Sequence, residues 1–254
     1  MPMTIAVAGK GGTGKTTFCG MLIKHLVDTK KGHILAVDAD PNSNLNEVLG
    51  VVAPTTLGQI REDMQEKGAD GGLPAGMTKH EYMDFMFGEA LFEEPGYDLL
   101  VMGRTQGEGC YCYVNGVLRT QIDRYADNYS YIVVDNEAGL EHISRGTLPR
   151  VDLLLLVSDC SRRGIQAAAR VFRLVHELKL NPKVMKLIVN RAPEGGPGPG
   201  VLEEISAQGL DLVGILPQDE NVYRFDSDGL PSSGVPDDSP VKTALREIIP
   251  ELGL

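Results

Sequence analysis

The sequence predicts an α/β fold: a single doubly wound, mostly parallel sheet with helices on both faces. Three observations predict it. Short apolar, β-branched runs recur along the chain with helical patterns between them. Those runs are near-continuously apolar rather than alternating, as strands buried on both faces must be. The first run leads through a glycine-rich loop straight into a helical pattern. With 254 residues, 42% of them hydrophobic, the chain is expected to form one domain over 1–254, with an insertion at about 54–98.

The first strand is Thr4–Ala8. The loop after it reads Gly9-Lys10-Gly11-Gly12-Thr13-Gly14-Lys15-Thr16-Thr17, which fits G-x-x-x-x-G-K-[ST] with Gly9, Gly14, Lys15 and Thr16 in place. Glycines let backbone N–H groups of Gly11, Gly12, Thr13 and Gly14 turn inward around phosphate oxygens. The N-terminus of the helix expected over Lys15–Lys30 adds favourable partial charge. Lys15 then reaches the β- and γ-phosphates, and the Thr16 hydroxyl, beside Thr17, sits on Mg²⁺. Strand Ile34–Val37 follows and runs into Asp38-Ala39-Asp40-Pro41. Carboxylates at a strand's C-terminal end face the ligand crevice of an open α/β sheet.

Residues 54–98 break the rhythm: helix is expected around Thr56–Glu66 and His80–Met86, and no strong strand. After strand Leu99–Met102 comes Gly107-Glu108-Gly109-Cys110-Tyr111-Cys112. A C-x-C pair can hold one soft or borderline metal, Zn²⁺ or Ni²⁺, but cannot complete a tetrahedral site alone. A two-fold dimer would supply a second pair; two free thiols in a loop would read the same way. Cys19 and Cys160 read as buried or inert.

Strand Tyr131–Val134 ends in Asp135, which is placed to hold Mg²⁺ through water. Strand Leu153–Val157 precedes a helix over Gly164–Leu178. Strand Leu187–Val189 ends in Asn190-Arg191, where the Asn190 amide offers both a donor and an acceptor. Residues 192–200 are so rich in Pro and Gly that they read as loop, with no helix. Strand Leu212–Ile215 leads into the turn Leu216-Pro217-Gln218-Asp219, and 226–240 reads as loop.

Lys10 lies directly after the first glycine, where an ordinary phosphate loop needs no lysine. The arrangement Gly9-Lys10-Gly11-Gly12-Thr13-Gly14-Lys15-Thr16 resembles the deviant Walker A ATPases: MinD, ParA, nitrogenase iron protein and their relatives. The resemblance implies ATP as the nucleotide, ADP as product, and a homodimer in which Lys10 crosses the interface to the other nucleotide. It implies that Asp40 orients the attacking water and senses Mg²⁺, with Asp38 in support, and that Gly139 answers the γ-phosphate. It also implies that Asn190 and Arg191, with Pro217 and Asp219 of the later turn, hold the nucleoside. Within that group the chain is similar to the CooC-type nickel-insertion ATPases. The matching segments are Gly109-Cys110-Tyr111-Cys112-Tyr113-Val114-Asn115, with Leu118-Arg119 behind it, and Asp135-Asn136-Glu137-Ala138-Gly139-Leu140-Glu141-His142. The similarity runs from Met3 to about Ile249. It implies a metallochaperone binding Ni²⁺ or Zn²⁺ through Cys110 and Cys112 of both subunits, with a nickel-dependent carbon monoxide dehydrogenase or acetyl-CoA synthase as client. A positioning ATPase of the MinD/ParA kind and an iron–sulfur ATPase are the alternatives.

A net charge of −11 opposes a nucleic-acid-coating surface. The apolar run Leu153–Val157 is far too short to span a bilayer. The last residues, from Val241 to Leu254, hold two basic residues and are expected to be broken by Pro250, a poor membrane anchor. No signal peptide is visible, and the expected compartment is the cytoplasm with thiols reduced.

Overall fold

The computed structural model describes residues 1–52, 55–69, 76–104, 112–137 and 150–254. Among these residues eight strands form one sheet: β1 (Met3–Ala8), β2 (Ile34–Ala39), β3 (Phe92–Glu94), β4 (Tyr97–Val101), β5 (Tyr131–Asn136), β6 (Leu153–Asp159), β7 (Val184–Ala192) and β8 (Leu212–Pro217). Their order is β3-β4-β2-β5-β1-β6-β7-β8. Every neighbouring pair is parallel except β3 with β4. β1 therefore lies in the middle, between β5 and β6, and delivers the glycine-rich loop to the centre of the sheet's C-terminal edge.

The near-continuous apolar strands feed two cores. Ile5, Val7, Ala36, Val133, Leu155 and Ile188 face α1 (Lys15–Asp28), α2 (Leu45–Leu49) and α9 (Pro240–Glu251), which contribute Phe18, Leu22, Leu26, Leu45, Leu245 and Ile249. Ala6, Leu35, Leu100, Val134, Leu154 and Val189 face the other way, onto α3 (Leu57–Ala69), α4 (Lys79–Ala90), α5 (Cys112–Tyr125), α6 (Arg162–Glu177) and α7 (Pro199–Ala207). The period of two is present inside each apolar run, but both phases are apolar because both faces are covered. Each fully buried Leu or Ile in these layers contributes about 1.5–3 kcal/mol of transfer free energy.

Several elements differ from the sequence expectation. The 54–98 segment does contain a strand. Pro95-Gly96, with Gly96 at φ 96°, turns β3 back along β4, and β4 begins at Tyr97 rather than Leu99. Its helix α4 opens with a capping box between Thr78 and Glu81. Its Asp84 accepts a hydrogen bond from Gln121 (2.8 Å) and pairs with Arg124, which ties it to α5. The 192–200 segment is not all loop: Ala192 closes β7, and Pro199 occupies the first turn of α7, where its missing N–H costs nothing. Pro250 does not break the last helix, because it falls in the final turn of α9. The apolar face of that helix, with Val241, Leu245, Ile248 and Ile249, is buried on β8 and α1. Among the described residues no helix is long and apolar enough to cross a membrane.

Candidate nucleotide site

The glycine-rich loop joins β1 to α1 at the sheet's C-terminal edge. Gly9, Gly12 and Gly14 have φ of 156°, 78° and 90°, values that L side chains rarely adopt. A Cβ on Gly9 would strike the carbonyl of Val157 in β6, so the loop passes as close to the neighbouring strand as backbone permits. The Thr13 hydroxyl donates to the Lys10 carbonyl (2.9 Å), closing the loop on itself. Lys15 is buried, 7% exposed, and its ammonium donates to the same carbonyl (3.2 Å). Lys10 and Gly11 are exposed at the loop's tip, and Thr16 and Thr17 open α1 half-buried.

Asp135 and Asp38 stand beside each other because β2 and β5 pair with Asp38 opposite Asp135. Val7 pairs with Asp135 on the other side, so this carboxyl lies directly below the loop's entry. The Asn136 amide donates to the Val7 carbonyl (2.9 Å) and fixes that corner. The Thr16 hydroxyl and the Cys19 thiol lie close to the Asp135 carboxyl and favour its charged form. Its Oδ1 nevertheless is buried with no hydrogen-bond partner among the described residues. Burial pushes the Asp135 carboxyl up to about 6, with Asp40 adding to the rise and Thr16 and Lys15 opposing it. Burial and the Asp135 charge push Asp38 up to about 7.

Asp38 proves to be an organiser of the next loop. Its Oδ1 accepts from the Asp40 N–H (3.0 Å) and its Oδ2 from the Leu45 N–H (2.9 Å). Asp40, half-buried, uses Oδ1 to accept from the backbone and side-chain N–H of Asn42 (2.8 and 2.9 Å). The Arg104 guanidinium in turn donates to the Asn42 Oδ1, and the Met102 N–H donates to the Asp38 carbonyl (2.8 Å). The loop of Asp40 is thus tied to the stretch of chain that leads toward the cysteine pair. Cys110 lies outside the described residues, as do Gly139 and His142. Cys112 is the first residue of α5, and its side chain lies outside what the structure describes.

Beside the loop is a cleft of about 400 Å³ between the first turns of α1 and the ends of β7 and β8, within the size range of small-molecule sites. Thr17, Phe18 and Met21 form one wall, Asn190, Arg191 and Pro217 another, and Tyr223 stands at the rim. Asp219 lines the cleft with its carboxylate already engaged. Oδ1 accepts from the Asn221 N–H (2.9 Å), capping α8 (Glu220–Ser227), while Oδ2 accepts from the Ser239 hydroxyl and the Val241 N–H (3.0 Å). This double-capping role was missed; the Asp placed just before a helical pattern was the available signal.

The donors gathered under the loop, from Thr16, Asp40 and Asp135, are all hard oxygens, and the buried Asp135 Oδ1 lacks a partner. They fit Mg²⁺. Among the described residues no three His, Cys, Asp or Glu side chains converge to grip a metal directly.

The raised carboxyls set a pH dependence. A carboxyl whose folded pKa is raised contributes stability that is fully present below its unfolded value of 3.8 and is lost as pH rises through the folded value. The ligand-free protein is expected to lose stability from about pH 4 to about pH 7, with the melting temperature falling roughly 2–4 °C per kcal/mol lost. Melting curves at pH 5.5 and 7.5 check this. Asp135→Asn should flatten the decline, and an unchanged pH profile in that variant would remove Asp135 as its source.

Residues 4–232 match the family model of the CobQ/CobB/MinD/ParA nucleotide binding domain. The chain is 43% identical over 252 residues to an uncharacterized ATP-binding protein of Methanocaldococcus jannaschii, covering 97% of this chain and 96% of the relative. It is 32% identical over 240 residues to the carbon monoxide dehydrogenase accessory protein CooC of Rhodospirillum rubrum, covering 90% and 88%. Among solved structures it superposes on the septum site-determining protein MinD complexed with Mg-ADP from Pyrococcus horikoshii, with a TM-score of 0.71 and 21% identity over 99% of this chain and 96% of that one. A ParA family ATPase from Chlorobium tepidum gives 0.73 and 20%, covering 96% of each chain.

Proposed function

The chain belongs to the CobQ/CobB/MinD/ParA nucleotide-binding family, and on that premise we propose that it is an ATP-hydrolysing metallochaperone. In this reading it dimerises with ATP, carries nickel or zinc on Cys110 and Cys112 of both subunits, and delivers nickel to a carbon monoxide dehydrogenase or an acetyl-CoA synthase. The observation that carries the reading is the Cys110-Tyr111-Cys112 pair in a chain 32% identical to the accessory protein CooC over nine-tenths of its length.

Each described residue has a part in that cycle. The N–H groups of Gly12, Thr13 and Gly14 cradle the phosphates, and Lys15 neutralises their charge from the buried side. Thr16, Asp40 and Asp135 would hold Mg²⁺, which supplies charge neutralisation on the β- and γ-phosphates. Asp40 sits on a loop whose shape Asp38 and Asn42 fix, and there it places the attacking water. Lys10, exposed at the tip, meets the nucleotide of the other subunit. The cleft at Asn190, Arg191 and Pro217 takes the nucleoside. Hydrogen bonds from Arg104 and Met102 carry a shift of the Asp40 loop into the chain that precedes the cysteines. ATP drives the change because it binds the closed dimer more tightly than the open monomer.

Anaerobic titration of reduced protein with Ni²⁺ and with Zn²⁺, then sizing with and without ATP, tests the proposal. One metal per two chains is expected, with metal-dependent dimerisation lost in Cys110→Ser/Cys112→Ser while ATP binding survives. Unchanged metal stoichiometry in the double variant would sink it. ATP-driven dimerisation without stoichiometric metal would return the chain to a MinD/ParA-type positioning role.

A further inference from the structure

The end of β7 grips the glycine-rich loop. Asn190 is buried, 8% exposed, and its amide nitrogen donates to the Thr13 carbonyl at 2.8 Å. Its Oδ1 accepts from the Arg191 N–H at 2.9 Å. The Arg191 guanidinium donates to the Gly12 carbonyl at 3.1 Å. Two consecutive carbonyls of the loop are therefore held by two consecutive residues more than 170 positions away in sequence. The local backbone is shaped for this. The β7–β8 pairing is irregular between Val189 and Ala192, and Arg191 lies at φ 56°, a left-handed conformation that is unfavourable for a side chain of its size. Gly14 has no Cβ at the place where one would strike the Asn190 amide nitrogen.

A peptide unit is planar and trans, so holding a carbonyl on one side sends the N–H of the following residue to the other. Fixing the Gly12 and Thr13 carbonyls toward β7 aims the Thr13 and Gly14 N–H groups away from it, into the concavity where an anion sits. We propose that Asn190 and Arg191 are positioning residues for the polyphosphate: they set the peptide planes of the loop, and their main contribution to affinity falls on the phosphates rather than on the base. This deepens the nucleotide-site reading and rests on it. It also revises the role drawn from sequence for Asn190, whose amide gives one N–H to the loop and accepts the Arg191 N–H on its oxygen, and so is only partly free for an adenine edge.

The test is competition binding against a fluorescent ADP analogue with Mg²⁺, using ATP, GTP and inorganic tripolyphosphate as competitors. Asn190→Ala is expected to weaken ATP and tripolyphosphate by the same factor, about 5–20-fold, the effect of one buried hydrogen bond, with the ATP-to-GTP ratio unchanged. Arg191→Ala, which removes an exposed guanidinium and leaves folding intact, is expected to weaken both about 3–5-fold, and Arg191→Lys to recover part of the loss. Tripolyphosphate binding unchanged in Asn190→Ala, together with a fall in ATP relative to GTP, would make Asn190 a base reader and overturn the inference. A wild-type protein that binds neither ATP nor tripolyphosphate would overturn the nucleotide reading itself.

Discussion

Lys15→Ala is expected to reduce nucleotide affinity about 10²–10³-fold, the cost of removing one member of a buried charged pair. Two effects add. The phosphates lose an ammonium that reaches them from a buried position, where water screens it little. Asp135 also loses the cation that opposes its rise to about 6, so its carboxyl holds its proton to higher pH and Mg²⁺ must displace that proton to bind. The loss should therefore be larger at pH 6 than at pH 8. Calorimetric titration with ADP and Mg²⁺ at both pH values measures it. Affinity within threefold of wild type would take Lys15 out of the phosphate site.

Asp40→Ala is the second large effect, and it should fall on turnover instead of binding. ATP hydrolysis is expected to drop about 10²–10⁴-fold, as on removal of a group that positions or activates water. Affinity for ATP should stay within a few-fold, so the ATP-bound dimer accumulates. Asp40 also shapes its own loop by accepting from Asn42, and a loss of shape could imitate a loss of chemistry. Asp40→Asn separates the two, because an amide oxygen can still accept from Asn42 while the charge is gone. Turnover as low as in Asp40→Ala assigns the effect to the carboxylate. Wild-type turnover in Asp40→Asn would leave Asp40 as a turn former only.

What was legible in the sequence follows the range of the interactions involved. The glycine-rich loop is local: nine consecutive residues, 9–17, running from the end of a strand into a helix, specify its glycine conformations and place Lys15 and Thr16 on α1. The alternation of elements was legible for the same reason, and so was the double cover of the sheet. The carboxyl pair was half legible. Asp38 and Asp135 each end an apolar run, but their adjacency depends on the β2–β5 register, which joins residues almost a hundred positions apart. Without it the hold of Asp38 on the Asp40 and Leu45 amides was not visible. The hold of Asn190 on Thr13 was illegible for that reason too. Pro199 and Pro250 were misread through composition: each belongs to a helix terminus, where the usual meaning of Pro as a loop former reverses.

The central place of β1 has a consequence for biosynthesis. β1 leaves the ribosome well before its partners β5 and β6, residues 131–136 and 153–159. At ordinary synthesis rates its lasting neighbours arrive on the order of ten seconds after it does. Until then Ile5, Val7 and the apolar face of α1 have no completed layer to enter. The anion cradle comes later still, because residues 190 and 191 hold it and α9, some fifty residues further along, closes over α1. A nascent chain should bind no nucleotide until residues 190 and 191 and α9 have emerged, and ligand-induced protease resistance should appear only then.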